Sequence, residues 1–391
     1  MKLTHGLHLA YCTNIHRGES WSETFEALRK HTLAVRDRVG AGQPYAIGLR
    51  LGAMAARELS EPARLAAFRK WLDAEYCYVF TINGFPYGQF HGTRVKEQVY
   101  APDWTTPERL EYTNLLFDLL AQLVPEGVEG SVSTVPVSFK EFIKDDRSLR
   151  AARANLWRCL EHIERVSRQS HRVLHLGLEP EPLCYLETSS ETVNFFEQMR
   201  QDRPGDLRID EQLGVNYDTC HLAVEFESPS EALGRLRQHR IKISKLHLSS
   251  ALKIRPTPEA RRALAGFADQ TYFHQVLARA ADGTLTRYKD LDLALAQPAT
   301  SEPHLAEEWR IHFHIPLHSP PAPLFDNTTD HLLGALDCLQ RHPGLCSHLE
   351  METYTWEVMP PELKNRSVVD QLVAEYDWTL ARLGERGFTR P

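Results

Sequence analysis

The chain has 391 residues, of which 42% are hydrophobic and 25% charged, a composition typical of a soluble globular protein and unlike that of a disordered one. Its formal net charge of -7 gives no overall basic character, which disfavours nucleic acid as a general partner. The seven cysteines form no Cys-x-x-Cys pair, so neither a disulfide framework nor a structural zinc knuckle is indicated. Since no apolar run has the length of a signal peptide or a membrane span, we expect a soluble cytoplasmic protein with no direct membrane insertion.

Short apolar runs typical of β-strands alternate with longer amphipathic stretches along most of the chain. Eight such runs lie at 6–12, 45–51, 76–82, 131–139, 173–179, 213–218, 243–248 and 347–353. Helices are predicted after a capping box at Ser20 and Glu23, and over 61–71, 107–123, 149–169, 191–200, 229–239 and 328–340. Repeated strand-then-helix units favour a parallel sheet closed into a (β/α)8 TIM barrel, an α/β fold.

The region after the seventh strand breaks this alternation. It contains Ala281-Asp-Gly283, a plausible hairpin turn, and a ninth strand-like run at 309–317. We assign 347–353 to the eighth barrel strand and 309–317 to an insertion of about 251–320 between strands seven and eight, although the reverse assignment stays open. No linker or repeat requires a second domain, so 1–391 is expected to form one elaborated TIM-barrel domain.

The most informative motif is Gly-Val-Asn-Tyr-Asp-Thr-Cys-His at 214–221. Asp218 stands at the end of a predicted strand and His221 in the turn beyond it, so both side chains can face one cation. A carboxylate oxygen and an imidazole nitrogen together suit Zn, Mn, Fe or Co better than Ca or Mg. This motif therefore predicts a divalent transition metal.

Other strand ends carry residues of the same kind. The C-terminal ends of barrel strands surround one mouth, and Glu179, Asp218, His247 and Glu352 each stand near such an end. Strand alternation places Lys245 on the same face as His247. Charged groups buried together are costly without a partner, and a cation is the simplest shared one. Each residue alone is more often a salt-bridge or capping residue, but that explanation would have to hold at every position.

Further histidines follow in the insertion. His274 stands where an inserted hairpin can reach the mouth, and His312, His314 and His318 alternate with apolar residues. We select His274 and His314 as ligands of a second metal. A strand of this pattern can equally have nothing more than a solvated face.

A loop of glycines and aromatics after the third strand is a candidate substrate contact. Asn83, Phe85, Tyr87 and His91 lie in it, and they can cover an apolar or sugar face of a ligand. Packing of this loop on the barrel rim is the alternative. Glu181 stands between two prolines in an irregular loop, where a solvated carboxylate requires no functional explanation. A contact between Glu181 and the substrate is the alternative.

Four motifs resemble those of the xylose-isomerase-like barrel superfamily, which includes sugar-phosphate isomerases, epimerases and endonuclease IV. They are Leu-Gly-Leu-Glu at 176–179, Asp-Thr-Cys-His at 218–221, Lys-Leu-His-Leu at 245–248 and Leu-Glu-Met-Glu-Thr at 349–353. The resemblance implies the single-metal set of the isomerases, carried here by Glu179, Asp218, His247 and Glu352. Endonuclease IV gathers three zinc ions, and the resemblance lets His221, His274 and His91 extend the set. Its aspartate-containing motif after the seventh strand is not reproduced, which argues against DNA repair.

More specific motifs are similar to those of the metabolite traffic protein EboE family. They are Asn-Gly-Phe-Pro-Tyr-Gly-Gln-Phe-His-Gly at 83–92, Leu-Glu-Pro-Glu-Pro-Leu-Cys at 178–184, His-Phe-His-Ile-Pro-Leu at 312–317 and Glu-Thr-Tyr-Thr-Trp at 352–356. This resemblance implies a bacterial gene cluster that moves a metabolite precursor, with a membrane protein as a possible partner.

The sequence contains no P-loop, Rossmann or Gly-x-Ser-x-Gly motif, so nucleotide-dependent and serine-hydrolase functions have no support. Three other functions are consistent with these residues. In the first, one metal holds adjacent oxygens of a small metabolite while Glu179 and Glu352 exchange a proton and Lys245 stabilises the oxyanion. In the second, two or three metals generate hydroxide for phosphoester hydrolysis. In the third, the barrel binds and transfers a metabolite without catalysis.

Overall fold

The computed structural model describes residues 1–40, 42–297, 306–360, 364 and 366–391. Thirteen strands are found in this part of the chain. They are β1 (His8–Tyr11), β2 (Tyr45–Arg50), β3 (Cys77–Asn83), β4 (Gly130–Thr134), β5 (Leu174–Leu178), β6 (Leu213–Asp218), β7 (Lys242–Leu248), β8 (Ala251–Ile254), β9 (Val276–Ala280), β10 (Leu285–Tyr288), β11 (Ala306–His314), β12 (Asp326–Asn327) and β13 (His348–Met351).

Eight of these strands form a parallel barrel. Their order is β1-β13-β7-β6-β5-β4-β3-β2, and a parallel bridge between Cys12 and Gly48 joins the two ends of this order. Nearly every residue of these strands is buried, as expected of a parallel sheet covered on both faces. The predicted (β/α)8 barrel is confirmed, as is the assignment of 347–353 to its eighth strand.

Fourteen helices surround the strands in the described residues. They are α1 (Trp21–Ala27), α2 (Leu33–Val39), α3 (Ala53–Leu59), α4 (Pro62–Ala74), α5 (Pro107–Leu123), α6 (Asp146–Ser170), α7 (Ser189–Asp202), α8 (Arg208–Glu211), α9 (Thr219–Val224), α10 (Pro229–Gln238), α11 (Pro258–Leu264), α12 (Leu291–Ala296), α13 (Thr329–Arg341) and α14 (Val368–Gly384). The capping box at Ser20 and Glu23 begins α1 as predicted. Proline at the first turn begins α4, α5, α10 and α11, where its missing N–H costs no helical hydrogen bond.

The insertion between β7 and β13 contains a second, antiparallel sheet. Its order is β10-β9-β11-β8-β12. Gly283, with φ +86, lies in the predicted turn of the β9-β10 hairpin, a backbone conformation that favours glycine. The predicted strand at 309–317 corresponds to β11 and belongs to this sheet. The part of the predicted insertion at 298–305 lies outside the described residues.

The inserted sheet packs against the barrel. Leu252 and Ile254 of β8 and Trp309, Ile311 and Phe313 of β11 belong to the same cluster of buried apolar residues as the barrel strands. This packing fixes where β11 passes over the barrel, and so where its histidines lie. That the chain forms one domain stays a prediction. Within the described residues, no helix combines the length and apolar character needed to cross a membrane.

Candidate metal centre

Four acidic and imidazole side chains meet at the C-terminal ends of neighbouring barrel strands. Glu179 follows β5, Asp218 ends β6, His247 lies in β7 and Glu352 follows β13. Ligand atoms of all four lie within 4.8 Å of one another. His247 Nδ1 is 3.2 Å from Glu179 Oε1, 3.5 Å from Asp218 Oδ2 and 3.3 Å from Glu352 Oε2. Strands far apart in sequence therefore bring one nitrogen and three carboxylates around a common point.

The charges and hydrogen bonds of this group fit a divalent cation. Oε2 of Glu179 and Oδ2 of Asp218 are buried without a hydrogen-bond partner. The buried cluster contains four carboxylates, those of Glu179, Asp218, Glu350 and Glu352, and two basic side chains, His247 and Lys245. Even when His247 is protonated, the carboxylates exceed the positive charges by two. Such an excess is costly in a low-dielectric interior. A metal bound by Glu179, Asp218, His247 and Glu352 would neutralise it and use both unpartnered oxygens.

Local hydrogen bonds fix the orientation of Asp218. Its Oδ1 accepts hydrogen bonds from Ser249 Oγ at 2.6 Å, Cys220 N at 2.7 Å and His221 N at 3.0 Å, so the carboxylate caps the N-terminus of α9. Burial acts to raise the pKa of Asp218, but the histidines around it outweigh burial and keep its pKa well below the usual range. The second oxygen is left facing the other ligands as an anionic donor.

Two asparagines orient Glu352. Asn14 Nδ2 donates to Glu352 Oε1 at 2.7 Å and Asn83 Nδ2 donates to the same oxygen at 3.2 Å. These bonds leave Oε2 for the shared point near His247. Asn83 was predicted as a substrate contact, and the structure places it against Glu352 at the lining of the cavity described below. Asn14 was not predicted, although its position just beyond the first strand marked it as a residue of the barrel mouth.

A buried ion pair lies behind His247. Glu350 Oε2 is 2.7 Å from His247 Nε2 and 2.5 Å from Lys245 Nζ, and Lys245 Nζ also donates to Ser133 Oγ at 3.3 Å. Burial acts to raise the pKa of Glu350, but Lys245 and His247 lower it to about 2. Lys245 was predicted to stabilise a substrate oxyanion. The structure instead places its ammonium against Glu350, outside the residues that line the cavity.

Gly48 makes room for Glu350 inside the barrel. A Cβ atom at Gly48 would lie 1.9 Å from Glu350 Oε1 and 2.7 Å from Tyr11 O, far inside van der Waals contact. Any larger residue would displace either the carboxylate or the strand. The contact between Glu350 and His247 therefore requires a glycine at position 48 of β2.

A second group of three buried histidines lies beside the first. His221 comes from α9, whereas His312 and His314 come from β11 of the insertion. Their Nδ1 atoms each face an oxygen: Pro180 O at 3.0 Å, Gln275 Oε1 at 2.7 Å and Glu352 O at 3.0 Å, respectively. If each Nδ1 carries the proton that it donates, each Nε2 carries a lone pair.

Two Nε2 atoms of this second group lie close together. His312 Nε2 and His314 Nε2 are 3.3 Å apart, and two lone pairs at that separation require a proton or a cation near them. Asp218, His221 and His314 form one possible ligand set, and Cys220, His312 and His314 form another. Metal-bound histidines commonly hold the other ring nitrogen against a carbonyl or carboxylate oxygen. The residues around His314 thus also have the arrangement of a metal site, and Asp218 belongs both to one of these sets and to the first group.

Several predicted residues lie elsewhere. His274 Nδ1 faces the backbone oxygen of His312 at 3.0 Å, and its Nε2 contacts Asp269, so both ring nitrogens already have a hydrogen-bond partner. His91 is buried, but it lines a different cavity together with Arg17 and His31. Tyr87 packs on the rim with its hydroxyl 2.9 Å from Arg57 Nη2. His312, which was not selected, lies in the second group because it shares a strand face with His314.

A cavity leads to the two groups. Its lining includes Glu179, Glu352, His221 and His312, and the predicted contacts Asn83, Phe85 and Glu181. Glu181 Oε1 accepts a hydrogen bond of 2.7 Å from the Tyr100 hydroxyl. Burial raises the pKa of Glu181 to about 8. The cavity therefore has residues of both groups in its lining.

No family model matches the sequence, and no curated protein matches it. Among solved structures, an L-ribulose 3-epimerase superposes with a TM-score of 0.52 at 13% identity over 99% of this chain and 96% of that one. A xylose isomerase-like TIM barrel protein from Mycobacterium smegmatis in complex with magnesium superposes with a TM-score of 0.53 at 14% identity over 99% of both chains. The IOLI protein with a bound zinc atom gives 0.48 at 12% identity over 97% and 99%.

These likenesses establish the fold. The chain is a TIM barrel of the xylose-isomerase-like type with an insertion between the seventh and eighth barrel strands, and it contains buried histidine, aspartate and glutamate groups that can hold a metal. The more specific resemblance to the EboE family receives no support from the comparisons.

Proposed function

We propose that this protein is a metal-dependent enzyme of the isomerase or epimerase type that acts on a small metabolite with two adjacent oxygen atoms. The observation that carries the proposal is the placement of Glu179 and Glu352, which belong to the four-residue ligand group and also line the cavity. Substrate oxygens that reach the metal would therefore lie beside two carboxylates. The sugar epimerase with the same fold is in keeping with this chemistry.

Proton transfer is the step that these residues can perform. When bound, a divalent cation lowers the pKa of a proton on the carbon next to a carbonyl group, or of a hydroxyl proton, by stabilising the negative charge that forms on oxygen. Glu179 has a second carboxylate oxygen besides the one that would bind the metal, and this second oxygen can accept that proton. Glu352, oriented by Asn14 and Asn83, can return a proton to the opposite side. In this proposal Lys245 acts indirectly. Its ammonium contacts Glu350, and Glu350 contacts the metal ligand His247.

Exchange of a carbon-bound proton tests this function without knowledge of the natural substrate. The metal-loaded protein in D2O is given a panel of small α-hydroxy ketones, and deuterium incorporation is followed by NMR. We expect exchange with the native chain and its loss in Glu179→Gln and Glu352→Gln, with metal content measured in parallel. Glu26→Gln, on the exposed face of α1, is the matched control. Exchange at the native rate in both site variants would exclude the assigned roles.

A hydrolase with two metal ions is the second candidate, and the converging Nε2 atoms of His312 and His314 favour it. Two adjacent cations can activate water for attack on a phosphoester. Elemental analysis of protein purified without chelator separates the candidates. One zinc, manganese, iron or cobalt ion per chain that is unaffected by His312→Ala supports the first function, and a second ion that this variant removes supports the hydrolase.

Some predictions rest on the amino-acid sequence alone. Membership in the EboE family, a role in metabolite traffic with a membrane-protein partner, metabolite transfer without catalysis and a cytoplasmic location stay predictions. Co-purification of a membrane protein with the tagged chain, together with full biological function of Glu179→Gln and Glu352→Gln, is the result expected of a transfer protein.

A further inference from the structure

The carboxylate, amide and imidazole groups of the cavity lining are gathered at its metal end. Asn14 and Asn83 both contact Glu352, and Glu181 lies 3.6 Å from His312 through its Oε1 and the histidine Nδ1. These hydrogen-bonding groups therefore belong to, or adjoin, the two ligand groups. A ligand that enters the cavity meets its polar partners mainly there.

The rest of the lining is largely aromatic. Phe90, Tyr272 and Tyr354 form a three-ring cluster with centroids 5.1, 5.2 and 5.5 Å apart. The rings come from three segments: the loop after β3, the insertion before β9 and the turn after β13. Phe85 and Phe273 line the same cavity. Aromatic faces favour a flat or apolar partner.

The cavity offers no unpaired cation to an anionic ligand. Lys96 is the one lysine or arginine among the described lining residues, and its ammonium forms a buried ion pair with Asp290. The metal end itself is rich in carboxylates. A phosphate or carboxylate group in the outer cavity would lose its hydration without gaining a counter-charge, which is unfavourable.

A free sugar fits this lining poorly for a related reason. Its hydroxyls are distributed along the whole molecule, and a buried hydroxyl without a hydrogen-bond partner is destabilising. The side chains of Phe85, Phe90, Val95 and Phe273 carry no polar atom, so they cannot supply such partners. The polar end of the cavity can satisfy only a few oxygens.

We infer that the substrate is an uncharged molecule with two adjacent oxygens at one end and a flat apolar body, for example an aryl-substituted α-hydroxy ketone or vicinal diol. The oxygens bind at the metal end, and the apolar body lies against the ring cluster of Phe90, Tyr272 and Tyr354. This inference rests on the proposed function, because the metal selects which end of the substrate is bound.

Binding of matched compounds to the metal-loaded protein tests the inference. Isothermal titration compares hydroxyacetone with 2-hydroxyacetophenone, which share the hydroxy-ketone end and differ in the phenyl ring, and adds D-fructose and D-fructose 6-phosphate. We expect 2-hydroxyacetophenone to bind at least tenfold more tightly than any of the other three. Equal or tighter binding of fructose or fructose 6-phosphate, or no binding of 2-hydroxyacetophenone, would overturn the inference.

Variants of the ring cluster locate the effect. Phe90→Ala, and separately Tyr272→Ala, should weaken 2-hydroxyacetophenone binding at least tenfold and leave hydroxyacetone binding within a factor of two. Phe325→Ala, in the insertion but outside the lining of this cavity, should change neither. Metal content separates the two proposals. A protein that binds no metal refutes the proposed function and this inference together, whereas a loaded protein that prefers sugars refutes this inference alone.

Discussion

His247 and Glu350 are paired residues of adjacent parallel strands, and their side chains contact each other directly. The register of β7 and β13 sets the two Cα atoms opposite each other, and His247 Nε2 lies 2.7 Å from Glu350 Oε2. Because Nε2 is held in this way, Nδ1 faces Glu179, Asp218 and Glu352. A carboxylate on one ring nitrogen orients a metal-binding histidine and increases its basicity.

Glu350→Gln is expected to weaken metal binding. The amide keeps the shape of the side chain but loses the charge that orients His247, and loss of such a partner typically costs 10- to 100-fold in metal affinity. Competition with a chelating dye measures the change in Kd for zinc. The double variant Lys245→Met, Glu350→Gln is the control, since it removes the unpaired buried ammonium that the single variant leaves. Native affinity in both proteins would contradict the role of Glu350.

Gly48→Ala is expected to destabilise the barrel and displace Glu350. The added methyl would lie 1.9 Å from Glu350 Oε1, and overpacking of a core typically costs about 1–3 kcal/mol. Urea unfolding measures the stability, and zinc affinity reports the displacement of the carboxylate. Gly384→Ala, at the end of α14 with nothing within 4 Å of the added atom, is the matched control and should be neutral or slightly stabilising. Equal stability of the two variants would show that the barrel accommodates the methyl group.

Metal should stabilise the folded chain, and Asp218 should be needed for this effect. A ligand at a hundredfold excess over its Kd stabilises the native state by about 2.7 kcal/mol, so zinc should raise the Tm and a chelator should reverse the rise. Asp218→Asn retains the oxygen that caps α9 and loses the charge of the free oxygen. We expect a folded variant whose Tm shows little response to zinc. A native response would place the metal elsewhere.

The contribution of Glu375 to the stability of the protein should fall as pH rises toward neutrality. This buried carboxyl accepts hydrogen bonds from Leu317 N and Thr353 Oγ1, and burial raises its pKa from the usual 4.5 to about 7. The folded chain thus holds a proton that the unfolded chain releases. The contribution is complete below about pH 4.5 and is lost as pH rises toward 7, with a total loss of about 3 kcal/mol.

Glu375→Gln isolates this contribution. The amide oxygen can accept the same two hydrogen bonds without carrying a charge. The difference in unfolding free energy between variant and native protein should therefore shift in favour of the variant between pH 5 and pH 8. Parallel stability curves over that interval would contradict the assignment.

Local sequence pattern determined the barrel and much of its mouth. Strand and helix periods are short-range properties, and the C-terminal ends of parallel strands must lie on one side of a barrel. The positions of Glu179, Asp218, His247 and Glu352 at strand ends were therefore visible in the sequence, and the structure brings these four residues together. The capping box of α1 and the hairpin turn at Gly283 were visible for the same reason.

Contacts between distant segments were decided by the tertiary structure alone. The register of β7 against β13 pairs His247 with Glu350, and the Glu350 carboxylate also contacts the ammonium of Lys245. The path of β11 over the barrel places His312 and His314 in the second group, whereas the fold of the insertion turns His274 toward Asp269. The alternation of side chains along a strand determines which face of the strand a residue occupies, and it can be read from the sequence. Strand register and the packing of an inserted sheet depend on the whole chain, because they arise from buried contacts between residues far apart in sequence.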